Sequence, residues 1–157
     1  MKKLGKAKSN SKITIVTGTP GTGKTTVAQN IAQKERAVYI NVNEIIKNEH
    51  LKEGYDKKRK VVIIDTKKLN NVLIKIIKEA KNKGISLLID SHLSHYLPAK
   101  YVDLCIVTKT NLKKLERRLK KRKYSQEKIR ENMDCEIFDV CLTEAQEMGY
   151  KIKVVET

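Results

Sequence analysis

Short β-branched runs and longer periodic segments alternate along this chain. Ile13-Thr14-Ile15-Val16-Thr17 is apolar or β-branched throughout, the pattern of a buried strand. Residues 25–35 read as a helix, 37–41 as a second strand and 42–49 as a short helix that ends in a polar stretch around Gly54. Residues 61–64 form a short apolar run. Between residues 67 and 83, Leu69, Val72, Leu73, Ile76, Ile77 and Ala80 fall on one side of a helix stopped by Gly84. Residues 85–89 and 102–107 read as strands, 112–122 and 126–148 as helices, and 152–155 as a last strand. This βαβ alternation predicts an α/β domain with a parallel sheet covered by helices.

The chain has 157 residues, enough for one compact domain with a real core, and no linker or repeat divides it. It reads as a single domain over residues 1–157, with a basic tail at 1–11. No apolar run approaches the roughly 18 residues of a membrane span. The first twelve residues lack the apolar stretch of a signal peptide, so a cytoplasmic protein without a membrane partner is expected. Cys105, Cys135 and Cys141 form no C-x-x-C pair; they read as reduced structural thiols and give no sign of a zinc-stapled lid. The net charge of +16 attracts polyanions, nucleotides and RNA alike, and does not separate them.

Chemistry first becomes specific at Gly18-Thr19-Pro20-Gly21-Thr22-Gly23-Lys24-Thr25. The stretch satisfies G-x-x-x-x-G-K-[ST], with an apolar strand before it and a helix after it. Glycines at 21 and 23 let the backbone wrap and aim successive N–H groups at phosphate oxygens. The following helix contributes its positive end. In such a loop Lys24 reaches the β- and γ-phosphates of ATP, the Thr25 hydroxyl ligates Mg2+, and Thr26 can touch the α-phosphate. Gly18, Gly21, Thr22 and Gly23 complete the nucleotide-binding cradle.

Two apolar runs end in an acidic residue, Val61-Val62-Ile63-Ile64-Asp65 and Leu87-Leu88-Ile89-Asp90, and either could anchor the metal's water shell. Asp65 has a competing role, because with Thr66 it can cap the helix that starts near Lys67. Asp90 is followed by a loop, the place where ligands sit in open α/β sheets, and is the favoured candidate to hold Mg2+ through water. His92, two residues on, could orient a water or touch phosphate. Further along, Leu112, Leu115 and Leu119 make an apolar stripe, with Arg118 and Arg122 stacked four apart on its flank. Two guanidinium groups so placed can fork onto phosphate oxygens, whereas Lys113, Arg117, Lys120 and Lys121 read as solvated surface.

Five stretches together resemble adenylate kinases of the isoenzyme-6 type, the nuclear and archaeal branch of the nucleoside monophosphate kinases. They are residues 17–26; Tyr39-Ile40-Asn41-Val42; Gly54-Tyr55-Asp56; Ile89-Asp90-Ser91-His92; and Arg122-Lys123-Tyr124 running on to Glu131-Asn132-Met133-Asp134-Cys135-Glu136-Ile137-Phe138. The last is the most specific, since N-x-x-C-E-I-F is not a general kinase motif. The likeness spans about residues 13–145. It implies a P-loop NTPase-type three-layer sandwich with a five-stranded parallel sheet, a monophosphate-binding segment at about 41–64 and a short lid at about 121–131. It implies transfer of the γ-phosphoryl group of Mg-ATP to AMP, with Asp90 and His92 in the modified Walker B motif. Arg122, with Arg118 nearby, would meet the ATP phosphates from the lid. Asn41 and Lys47 would lie toward AMP.

Some positions depart from that family. Asn43-Glu44 stands where Gly-Asp is usual, Lys47 where Arg is frequent, and residues 93–98 hold no arginine of the sort conventional adenylate kinases carry there. The grip on AMP is accordingly the weakest implied feature. Relatives also continue into a final helix, so thin cover of one sheet face is expected here. The resemblance further implies ribosome biogenesis, with an ATPase activity and a small-subunit ribosomal protein or ribosomal RNA as partner. ATP-switched assembly on such a partner, or a kinase for another monophosphate, are the alternative readings.

Overall fold

The computed structural model describes residues 10–58, 61–91 and 97–157. Strand β1 (Ile13–Gly18) leads into helix α1 (Lys24–Glu35), followed by β2 (Val38–Asn41) and α2 (Val42–Asn48). A pair of short strands, β3 (Lys52–Asp56) and β4 (Val61–Ile64), precedes the long helix α3 (Thr66–Asn82). The second half runs β5 (Leu87–Asp90), a single 3-10 turn (Ala99–Tyr101), β6 (Leu104–Lys109), α4 (Leu112–Lys121), α5 (Gln126–Ile137), α6 (Val140–Glu147) and β7 (Ile152–Glu156). The main sheet has five strands in the order β2-β5-β1-β6-β7, all parallel, as the alternation predicts.

Period-two alternation sorts each central strand between two helical layers. Ile13, Ile15, Leu87, Ile89, Cys105 and Val107 face the larger core, where Leu69, Leu73 and Ile77 of α3 pack at helical spacing. Val16, Leu88 and Ile106 face the other side, against Ala28 and Ala32 of α1. Ile15, Leu73 and Ile77 have no exposed surface, so each contributes about 1.5–3 kcal/mol of hydrophobic stabilisation.

Two elements differ from the sequence reading. The polar stretch at Gly54 is a strand: β3 pairs antiparallel with β4 in a ribbon separate from the main sheet. Its residues 52–55 are exposed, so no buried face leaves an alternation in the sequence. The predicted helix 126–148 is two helices. Asp139 takes a left-handed conformation, φ 52°, and breaks the run between α5 and α6. The break lets both Glu136, at 3.1 Å, and Asp139 pair with the Lys109 ammonium at the end of β6. No glycine or proline announces it, because the demand comes from the tertiary ion pair.

In this strand order the C-terminal ends of β2, β5 and β1 lie side by side. Asp90 is in register with Val16 on one side and Asn41 on the other. Such a crevice, beyond the carboxyl ends of parallel strands, is where open α/β sheets bind ligands. Among the described residues no helix is long and apolar enough to cross a membrane.

Candidate active site

The loop between β1 and α1 is held open by its glycines and braced by threonines. A Cβ at Gly18 would stand 2.2 Å from Thr108 Oγ1 and 2.8 Å from the Thr108 carbonyl oxygen, so only glycine fits. Gly21 and Gly23 take φ of 94° and 81°, and Gly23 is the N-cap of α1. Thr22 is buried; its hydroxyl lies 2.6 Å from the Thr19 carbonyl and 2.7 Å from Thr108 Oγ1. Thr22 therefore shapes the cradle with its side chain, leaving backbone N–H groups for phosphate. Thr26 lies exposed at the rim.

Lys24 is the first residue of α1, and its ammonium donates to the Gly18 carbonyl at 2.9 Å, across the mouth of the loop. Burial pushes its pKa below the ordinary lysine value, while Cys141 and the Asp90 carboxylate oppose that shift and Arg122 adds to it. Burial pushes the cysteine thiols up, Cys105 to about 12, and all three are free. They stay uncharged thiols at neutral pH, as expected of structural cysteines.

At the next residue, Thr25 Oγ1 donates to Asp90 Oδ2 at 3.0 Å. Asp90 is 6% exposed at the end of β5, and the Tyr39 hydroxyl donates to the same oxygen at 2.6 Å. Burial and this bond to Asp90 hold the Tyr39 phenol above its ordinary pKa, so it is a donor. A threonine oxygen beside a carboxylate, both hard donors at the foot of a phosphate cradle, suits Mg2+, which takes one or two protein oxygens and leaves the rest to phosphate and water. Asp65 sits elsewhere. It caps α3, with Oδ1 accepting from the Lys68 backbone N–H at 3.0 Å.

Above the loop lies a cleft of about 500 Å3. Arg122, the C-cap of α4, reaches it from one side, and Asn41 at the end of β2 and Asn43 at the start of α2 reach it from another. Tyr124 and Lys128 close a third side, the ammonium 4.1 Å from the ring centroid. The joint between α4 and α5 holds Lys123 at φ 57°, and Ser125 caps α5 by accepting from the Lys128 backbone N–H at 3.2 Å.

The other sequence-selected residues separate. Arg118 turns behind the loop: one Nη1 donates to the Gly21 carbonyl at 3.1 Å and meets the hydroxyls of Thr110 and Thr157 at 3.3 and 3.2 Å. That makes it a brace of the cradle, four residues from Arg122 yet pointed differently. Asn41 spends its side-chain oxygen capping α2, accepting from Asn43 N–H at 2.9 Å. Lys47 lies in a separate open groove with His50 and Lys52. His92 lies outside the described residues. Glu136, from the N-x-x-C-E-I-F stretch, anchors the end of α5 to Lys109, in a small recess shared with Thr19 of the loop. Tyr39, Thr108 and Thr157 are site residues that sequence reasoning missed; only Tyr39 lay in a stretch singled out by resemblance.

Residues 14–139 match the family described as an AAA domain. A putative adenylate kinase from Methanosarcina barkeri is 42% identical over 142 residues, covering 90% of this chain and 75% of that protein. An adenylate kinase isoenzyme 6 homolog from Dictyostelium discoideum is 36% identical over 148 residues, covering 94% and 81%. The chain belongs to the adenylate kinase isoenzyme 6 family. It is a P-loop kinase of the nucleoside monophosphate kinase class. Among solved structures, a sugar kinase from Janibacter superposes with a TM-score of 0.58 at 17% identity, covering 93% of this chain and 85% of that one. Shikimate kinase from Bacteroides thetaiotaomicron gives 0.53 at 14% identity, covering 92% and 85%. These two likenesses concern the fold alone.

The two acidic candidates make unequal demands on the chemistry. Asp90→Asn keeps an acceptor for Tyr39 and Thr25 but removes the charge beside Thr25, so Mg2+-dependent turnover should fall far more than with Asp65→Asn. The second variant keeps an oxygen acceptor at the N-cap of α3 and should leave both turnover and melting close to wild type. Steady-state rates against Mg2+ concentration, with melting curves for both variants, check this. A catalytically dead, normally melting Asp65→Asn protein would overturn the assignment.

Proposed function

We propose that the protein transfers the terminal phosphoryl group of ATP to AMP, forming two molecules of ADP. The observation that carries this reading is the single cleft that joins the phosphate loop, Lys24 and Arg122 to the ends of β2 and α5, with room beside the loop for a second nucleotide phosphate. The adenylate kinase names of its relatives favour AMP as the acceptor.

In this reading ATP lays its phosphates along the backbone N–H groups of Gly21, Gly23, Lys24 and Thr25, and Lys24 leaves the Gly18 carbonyl for the β- and γ-phosphates. An oxygen of the AMP phosphate attacks the γ-phosphorus in line, the bond to the β-phosphate bridging oxygen breaks, and ADP departs with that electron pair. No protein group is phosphorylated. Thr25 and Asp90 would hold Mg2+, which would supply charge neutralisation there. Lys24 and Arg122 offset the negative charge spread over the transferring group. Closure of residues 121–131 would exclude water, so that AMP rather than water accepts the phosphoryl group. On the acceptor side, Lys128 already lines the cleft, while Lys47 would enter only if the segment 41–64 moved inward.

Product formation from ATP tests this directly. With AMP present, ADP should appear at twice the AMP consumed, with slower or no transfer to CMP and UMP. Phosphate release at the same rate with and without AMP would mark hydrolysis instead and overturn the kinase reading.

A further inference from the structure

Among the described residues, Tyr39 is the aromatic side chain that hydrogen-bonds Asp90 at the foot of the phosphate cradle. It stands on β2, where its strand partner is Leu88 and its ring packs on the cluster of Val16, Ala28, Ala32, Leu88 and Ile106. The ring is thus fixed by the core, and only the hydroxyl faces the site. That hydroxyl and Thr25 Oγ1 both donate to Asp90 Oδ2, at 2.6 and 3.0 Å. Two donors on one oxygen pin the carboxylate plane. They also leave Oδ1 as the oxygen available to a metal-bound water. Thr25 has a single proton. Once it points at Asp90, the hydroxyl lone pairs are free for a cation. Tyr39 keeps the acceptor in the place where that proton must go.

We infer that Tyr39 is a positioning residue for the metal: by holding Asp90 Oδ2 beside Thr25 it sets the affinity for Mg2+ in the nucleotide complex, without itself touching metal or nucleotide. Nothing in the phosphate-loop motif requires a tyrosine at this place. A phenylalanine would pack equally well on the cluster, so the core accounts for the ring and leaves the hydroxyl for Asp90. The inference rests on the reading of Thr25 and Asp90 as the metal-bearing pair, and its test separates the two.

The experiment uses the whole chain as wild type, Tyr39→Phe and Asp90→Asn. Mn2+ serves as the probe, its binding read by electron paramagnetic resonance at saturating ADP. Binding of ATP in excess EDTA, by calorimetry, supplies the metal-free reference, and melting curves check the fold. Tyr39→Phe should weaken Mn2+ binding about tenfold, the scale of one hydrogen bond to a charged group, and leave metal-free ATP affinity within about twofold of wild type. Asp90→Asn should weaken Mn2+ binding more. In turnover, Tyr39→Phe should raise the Mg2+ concentration needed for half-maximal rate, with kcat restored at saturating Mg2+. Unchanged Mn2+ affinity in Tyr39→Phe, with a loss in Asp90→Asn, would overturn the inference and leave the metal pair standing. Unchanged affinity in both would overturn the metal pair and the inference with it. An equal loss of metal-free and metal-bound nucleotide affinity in Tyr39→Phe would show a merely structural role and also overturn it.

Discussion

Lys24→Ala should lower phosphoryl transfer about a hundredfold or more while the protein still folds. The fold does not depend on this side chain: its ammonium bonds the Gly18 carbonyl of its own loop, and Lys24 itself is only partly buried. Losing one such bond costs about 1 kcal/mol. The rate depends on it far more. Lys24 is the cation at the mouth of the cradle, held in a site whose burial already disfavours its charge. Binding the β- and γ-phosphates would add anionic partners to the Asp90 carboxylate that already favours the charged lysine. Arg122 enters the cleft from the end of α4 and Arg118 is bonded to the Gly21 carbonyl, so neither holds the place of Lys24 beside Gly18. Initial rates at saturating Mg-ATP, compared with thermal melts, measure both quantities. Retention of more than about a tenth of the wild-type rate would remove the phosphate-loop assignment, given what such electrostatic groups contribute.

The cradle was legible because its chemistry ties residue types to fixed spacing. Glycines are needed where the chain turns left-handed, a lysine and a hydroxyl where the helix starts, and all lie within eight consecutive positions. The central strands β1, β5 and β6 of the main sheet were legible for a similar reason, since burial on both faces leaves continuous apolar runs. The ribbon was not: β3 is exposed and polar, and β4 resembles a sheet strand until its partner is known. The choice between Asp65 and Asp90 turns on that difference, because both end apolar runs and only β5 lies beside β1. Tyr39, Thr108 and Thr157 escaped notice because their partners are remote. Tyr39 meets Asp90 across 51 positions, Thr22 meets Thr108 across 86, and Thr157 meets Thr22 across 135. Arg118 and Arg122 could not be told apart by helical spacing. Their roles diverge because Arg118 is committed to the brace with Gly21 and Thr157, whereas Arg122, the C-cap of α4, also lines the cleft over the loop.

Arg122 offers the largest expected effect, because its contribution is concentrated in the transition state. It terminates α4 directly before the Lys123 joint, and its side chain lines the cleft over the phosphate loop. In the proposed closure a guanidinium so placed would meet the ATP phosphates, where its planar fork could bridge two oxygens at once. As negative charge spreads over the transferring group, that contact strengthens, so its removal should fall on kcat more than on nucleotide affinity. Arg122→Ala should therefore reduce kcat by about 10³-fold, with a much smaller change in ATP binding. Arg122→Lys keeps the charge but loses the fork, and should bind ATP nearly normally yet transfer slowly. Lys113→Ala serves as the control: it lies on the exposed face of the same helix and should leave AMP kinase activity close to wild type. Steady-state kinetics and ATP binding on all four proteins, at one fixed ionic strength, make the comparison, since surface charge effects fade within about 10 Å at 0.1 M salt. Equal kcat for Arg122→Ala and wild type would show that the residues around 121–131 do not act as the phosphate-contacting lid.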